Sequence, residues 1–412
     1  MFTTNPRARR APYPADLAAI MNVAQAQQSR QWLARWPMIS RTPTPLYDLP
    51  DAAQALGIAG LAVKDESVRS PLGSFKALGA PVALVREVLR RHPALEPAEI
   101  LTGRHAAALQ GLTVISATDG NHGRGLAAAA RDAGCACVIV LHAQVDPQRE
   151  QAIAALGARI VRIAGNYDAS VQEAARLAAA HGWQVISDTS YDGYETIPRD
   201  VMQGYSTIAA EIVEQTGAAP GAAGAFTHVF LQGGVGGLAA GVSSYLWEWQ
   251  GVQRPRFIVV EPAQADCLLQ SALAGRPARA TGSVDSVMAG LACGETSPLA
   301  WRFLQEAVDG FMTVEDDEAV AAMRQLARGS ARDIPVLAGE SGVAGLAGLQ
   351  VLRQDAARWA QAGLDADARV LFISTEGATA PDLYARLVGE SAQAVLRRQA
   401  DWRPAHAAAA AV

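Results

Sequence analysis

The chain has 412 residues, enough for two lobes with sizeable cores; half are apolar and 18% charged, as in a soluble globular protein. A net charge of −5, with arginines scattered rather than striped, argues against nucleic-acid binding. No apolar run reaches the roughly 18 residues of a membrane span, and none of signal-peptide length follows Arg7, Arg9 and Arg10, so no membrane partner and a cytoplasmic location are expected.

In chain order, residues 1–35 form a polar, alanine-rich lead-in without a strong pattern. From residue 112, short apolar runs alternate with helical patterns. "LTVISA" (112–117) precedes a helix over 121–133, "CVIVL" (137–141) precedes "PQREQAIAALG", and "ARIVRI" (158–163) precedes "YDASVQEAARLAAAHG". "WQVIS" (183–187) leads to a helix over 198–217 with proline in its first turn. "THVFLQ" (227–232) runs into "GGVGGLAAGVSSYLWEW", and "RFIVVEP" (256–262) and "RVLFIST" (369–375) read as further buried strands. This alternation predicts an α/β fold of open parallel sheets covered by helices. The run from 112 to 190 reads as a smaller lobe. The expected division is a large cofactor-binding domain, residues 1–88 with 205–412, and a small α/β domain, 89–204. The tail "DWRPAHAAAAAV" is low-complexity and expected to fray.

Cys135 and Cys137 lack zinc-knuckle spacing and have no His/Cys pair nearby, so no metal site is expected and they read as buried strand. Whether Cys267 and Cys293 pair is not decided by sequence.

The chain holds two lysines, Lys64 and Lys76, against 33 arginines. An ion pair or a solvated surface usually accepts arginine, whereas imine formation needs an amine that loses its proton. Lys76, in "PLGSFKALGA", is the candidate, although SFK alone also describes a solvated lysine at a helix start. Lys64, in "LAVKDES", reads as a strand-end ion pair. In "SATDGNHGRGLA" (116–127), Asp119 or Asn121 caps a helix at the carboxyl end of a strand, where open α/β sheets bind ligands. His122 reads as a histidine satisfied by backbone. In "LQGGVGGLAAGV", Gly234, Val235, Gly236 and Gly237 form a glycine loop between a strand and a helix, a geometry that binds phosphate. The same loop, with Glu261 closing the next strand, imitates a dinucleotide fingerprint, so a NAD- or FAD-dependent oxidoreductase is the rival reading. Asp188 ends a strand, and Ser374 and Thr375 precede a glycine where a hydroxyl meets a ligand.

SFK, DGNHG, the glycine loop and a hydroxyl before glycine, in this order, resemble the fold-type-II pyridoxal-phosphate enzymes. "VKDES", "SFKALG", "ATDGNHGRGLA", "GNYDASVQEA", "WQVISDTSYDGYETIPRDVMQGY", "VVEPAQADCLLQSA", "MAGLACGETSPLAW", "GESGVAGLAGL" and "STEG" resemble the diaminopropionate ammonia-lyase family over about residues 40–385. The resemblance implies a two-lobed fold like the tryptophan synthase β chain, with pyridoxal 5′-phosphate as cofactor. It also implies elimination from 2,3-diaminopropionate to pyruvate and two ammonia, and a homodimer. Lys76 then matches the Schiff-base lysine, and Asp119 and Asp188 the active-site acids. Phe75 and Asn121 match positions flanking the cofactor. Gly234 to Gly237 match the phosphate loop, and Thr375, ahead of Ser374, the partner of the pyridine nitrogen. Asp119 stands where serine and threonine dehydratases, the alternative enzymes, usually carry a small residue. A cofactor-binding protein without turnover is the non-enzymatic alternative. Two departures stand out: Ala378, in "TEGATAP", replaces the family's aspartate, and Gly237 stands where serine is common.

Overall fold

The computed structural model describes residues 1–118, 120–143, 145–165 and 167–409, with Asp168 and residues 403–409 described by backbone alone. In chain order the strands are β1 (Phe2–Thr4), β2 (Leu46–Asp48), β3 (Gly60–Asp65), β4 (Thr113–Ala117), β5 (Ala136–Leu141), β6 (Arg159–Arg162), β7 (Gln184–Val185), β8 (His228–Gln232), β9 (Arg256–Pro262), β10 (Gly310–Val314) and β11 (Arg369–Ser374). They form a seven-stranded sheet, β1-β10-β9-β8-β11-β3-β2, and a four-stranded sheet, β6-β5-β4-β7. All pairings are parallel except those of the two edge strands of the larger sheet: β1 runs antiparallel to β10, and β2 to β3. Short antiparallel edges of three residues leave little open ladder for another chain to extend.

Side chains on successive strand residues point to opposite faces, and the apolar runs exploit this. On β8, Val229 and Leu231 join one core while Phe230 joins another on the opposite face. On β5, Cys137, Ile139 and Leu141 enter the same core as Val229, while Val138 and Val140 enter a third. One apolar core is therefore shared by both sheets and holds them at a fixed separation.

Residues 1–35, expected to be unpatterned, contribute β1 and the helices Ala15–Ile20 and Val23–Leu33. The tail expected to fray is helical from Ala392 to Ala409. Lys64 on β3 is fully buried and donates to Thr44 O at 2.7 Å, Glu211 Oε2 at 2.7 Å and Gln215 Oε1 at 2.8 Å. Three acceptors match the three donors of an ammonium, so this second lysine is an ion-pair anchor, as its position before Asp65 suggests.

Lys76 sits in a single tight turn, Phe75–Leu78, that leads into the helix Gly79–Arg91. Two neighbours hold this segment. The helix Asn121–Ala133 packs so closely that a Cβ at Gly125 would lie 2.9 Å from the Lys76 carbonyl oxygen, which only glycine permits. Phe75 N–H donates to Thr375 O at 3.0 Å, and Gly377 N–H to Gly73 O at 2.9 Å, which zips the lysine segment to the chain leaving β11.

Candidate active site

A cavity of about 80 Å³ opens at the carboxyl ends of β8, β11 and β4, between the two sheets. Phe75, Lys76, Asn121 and Asp188 line it, as do Gly234, Val235, Gly237 and Thr375. Residues spread over 300 positions of sequence thus converge on one site. Asp119 lies outside the described residues.

Lys76 Nζ donates to Asp188 Oδ2 at 2.5 Å, and both side chains stay partly open to the cleft, at 17% and 13% exposure. Burial is the largest influence and disfavours the charged amine, but the charge and hydrogen bond of Asp188, with Tyr205 and Cys293, together outweigh it and hold Lys76 above the ordinary lysine range. Burial also opposes the Asp188 carboxylate, yet the adjacent Lys76 charge keeps it well below the usual carboxylate range. His122 is held below its usual range by burial. Its Nε2 lies 2.8 Å from Ile186 O and donates there, which leaves Nδ1 unprotonated 3.8 Å from Asp188 Oδ2. The backbone-satisfied reading of His122 therefore holds, and its neutral ring also walls the pair.

The glycine loop joins β8 to the helix Gly237–Gln250. Gly236 does not line the cavity. It has φ +100°, and a Cβ there would lie 2.8 Å from Leu304 Cδ1, so it shapes the turn rather than touching the cavity. Among the described residues, the N–H groups of Gly234, Val235 and Gly237 have no backbone acceptor. They stand at a helix N-terminus, where such groups and the helix dipole favour an anion. An exchangeable amine, an anion cradle, the Phe75 ring and a hydroxyl in one cavity fit the donor set an aldehyde-bearing phosphate cofactor needs. Thr375 is the hydroxyl residue that lines the cavity, whereas the Ser374 hydroxyl is buried without a partner among the described residues.

Tyr205, Gln232 and Glu376, which the sequence does not single out as site residues, also line the cavity. Tyr205 packs on Phe75 with ring centroids 4.7 Å apart, and Lys76 Nζ lies 5.6 Å from the Tyr205 ring centre. Gln232 ends β8, with its Nε2 bound to Gly342 O and Ile373 O. Glu376 is buried and accepts from Asn121 Nδ2 and, at 3.2 Å, from Ser341 N. Behind it, Glu340 pairs with Arg149 NH2 at 2.6 Å; burial and the Glu376 charge push its carboxyl up to about 7.

The oxidoreductase reading fails on Glu261. It is fully buried, and its carboxylate accepts Leu268 N at 2.9 Å and Leu269 N at 2.8 Å, which caps the helix Cys267–Ala274. It lies under the glycine loop and does not face the cavity, so it cannot hold a ribose. None of the four cysteines forms a disulfide, and Cys293 lines the cavity.

Comparison with known proteins agrees with this donor set. Residues 39–376 match the family of pyridoxal-phosphate dependent enzymes. Diaminopropionate ammonia-lyase of Escherichia coli is 37% identical over 391 residues, 93% of this chain and 96% of the relative. The crystal structure of the selenomethionine holo form of that enzyme superposes with a TM-score of 0.84 at 36% identity, covering 94% of this chain and 96% of the other. Its complex with an aminoacrylate–PLP azomethine reaction intermediate gives 0.83 at 35% identity, with the same coverage. The chain belongs to the pyridoxal-phosphate-dependent enzymes and, within them, to the diaminopropionate ammonia-lyase family.

Proposed function

We infer that this chain is a pyridoxal-phosphate-dependent ammonia-lyase that converts 2,3-diaminopropionate to pyruvate and two molecules of ammonia. The observation that carries this reading is the Lys76–Asp188 pair opening onto the same cavity as an anion cradle. When bound, the cofactor supplies a carbonyl that captures the substrate amino group and a ring that withdraws electrons from Cα. Lys76 holds the cofactor at rest and, once displaced, takes the Cα proton on one face as a free amine. Asp119 is assigned the opposite face, so that both enantiomers react. Asp188 binds the β-ammonium of the substrate by a charge-assisted hydrogen bond and assists its departure as ammonia. Serine offers only a neutral hydroxyl at that carbon, which is why the diaminopropionate reading stands ahead of the serine or threonine one. Proton positioning of this kind contributes roughly 10²–10⁴-fold.

Gly234, Val235 and Gly237 hold the phosphate through N–H groups, and Phe75 and Asn121 flank the ring. The Thr375 hydroxyl, which lines the cavity, would partner the ring nitrogen without forcing its protonation. Elimination tolerates the weaker electron sink, because the leaving group carries the electrons away.

The lobes we propose follow the sequence division, with each edge moved to the end of the helix it cuts: the small lobe is then 92–195, because Gly79–Arg91 and Thr196–Thr216 pack against each other. No helix among the described residues is long and apolar enough to cross a membrane. A cytoplasmic homodimer is part of the same proposal.

The test is spectroscopic. With added pyridoxal phosphate, the protein should absorb in the visible, and borohydride should fix the cofactor on the peptide carrying Lys76. Binding of nicotinamide or flavin, with no cofactor fixed on Lys76 by borohydride, would overturn the reading.

A further inference from the structure

Asn121 opens the helix Asn121–Ala133, is half-buried and lines the cavity. Its Nδ2 donates to Glu376 Oε2. Glu376 is itself fixed on every side. Oε1 accepts Ser341 N at 3.2 Å, Oε2 accepts Thr379 Oγ1 at 3.3 Å, and its carbonyl accepts Gly339 N at 2.8 Å. Its backbone also bridges Ser74, two residues before Lys76. Every group bound to the carboxylate is a donor, so the carboxylate acts purely as an acceptor.

That polarity decides how the Asn121 amide sits. Only its NH₂ end can face Glu376. Turning the amide over would press its oxygen against a carboxylate oxygen and leave that amide oxygen facing an acceptor instead of a donor. We propose that Glu376 is a positioning residue: it locks the Asn121 amide in one orientation, with the acceptor end free for the bound cofactor. The inference rests on the pyridoxal phosphate reading above. It gives a purpose to the glutamate of "STEG", and it joins the lysine segment, the DGNHG helix and the chain after β11 into one wall.

The test is a double-mutant cycle read by cofactor binding. The dissociation constant of pyridoxal phosphate is measured by titrating cofactor-free wild type, Glu376→Gln, Asn121→Ala and the double variant, with melting temperatures alongside. Glutamine keeps the shape of glutamate but both donates and accepts, which releases the lock. Glu376→Gln should weaken binding about 5- to 10-fold, with a melting temperature close to wild type. In the Asn121→Ala background the same change should weaken binding less than twofold further. Wild-type binding by Glu376→Gln, or equal losses with and without Asn121, would overturn the proposal. Should Glu376→Gln fail to fold, Thr379→Val removes one donor from the carboxylate. It should weaken binding about 2- to 5-fold only while Asn121 is present, and an unchanged constant would overturn the proposal. Failure of the wild type to bind pyridoxal phosphate would instead remove the functional reading beneath it.

Discussion

Lys76 Nζ and Asp188 Oδ2 lie 2.5 Å apart although 112 residues separate them in sequence, and each is the charge partner of the other. The lysine pKa is raised, so its share of the pair is present below the ordinary lysine range and is lost only as pH rises through the raised value. The aspartate pKa is lowered, so its share is present above the ordinary range and is lost as pH falls through the lowered value. In the cofactor-free protein the pair is thus intact from about pH 5 to 9. The amine is stored as an ammonium, held charged by the Asp188 carboxylate beside it.

Asp188→Asn should separate cofactor capture from turnover. Without the carboxylate, burial acts unopposed on Lys76 and its pKa falls, and each unit of fall raises the neutral fraction of the amine tenfold at neutral pH. Stopped-flow mixing with pyridoxal phosphate at pH 7 should show faster formation of the visible band. Diaminopropionate turnover should fall by about 10²-fold or more. Slower capture would show that Asp188 does not hold the Lys76 proton.

Lys76→Arg should keep the ion pair and lose the chemistry. The guanidinium stays protonated and forms no useful imine, so the visible band should vanish and turnover should fall at least about 10³-fold. The melting temperature should stay within a few degrees of wild type. Retained activity would remove Lys76 from the mechanism.

Asp119→Asn should discriminate between enantiomers. If Asp119 serves one face and Lys76 the other, kcat/KM for one enantiomer of diaminopropionate should drop about 10²-fold or more while the other changes by only a few-fold. Equal losses on both would leave Asp119 as a helix cap alone.

Gly237→Ser should be accepted and should tighten cofactor binding. A Cβ at 237 meets its nearest atom, Met202 Cγ, at 3.6 Å, an ordinary contact. The added hydroxyl stands at the first residue of the helix Gly237–Gln250, beside the anion cradle. One further hydrogen bond of about 0.5–1.5 kcal/mol corresponds to roughly 2- to 10-fold in the dissociation constant of pyridoxal phosphate. Weaker binding would show that the hydroxyl does not reach the phosphate.

The parts of the fold visible in the sequence are those whose periodicity is local. The strands β4 to β9 and β11 are apolar runs bounded by helices, and they occur where those runs lie. The strands β1, β2 and β10 are not among those runs, and β1 is set by its neighbour: Phe2–Thr4 pairs with Gly310–Met312. The site divides in the same way. Lys76, Asn121, Asp188 and the glycine loop sit in compact motifs. Tyr205 and Glu376 lie in quoted stretches, but their partners are distant: Tyr205 reaches Phe75 where the helix Thr196–Thr216 packs on the lysine turn, and Glu376 meets Asn121 across 255 residues. Such contacts are set by packing, and no spacing rule in the chain encodes them.

The most direct test of the account is to count products. Purified enzyme loaded with pyridoxal phosphate is given 2,3-diaminopropionate, and ammonia and pyruvate are measured in the same samples. The account predicts sustained turnover with two ammonia per pyruvate, and a far lower kcat/KM with serine, which yields one. No pyruvate from diaminopropionate, or faster turnover of serine or threonine, would contradict it.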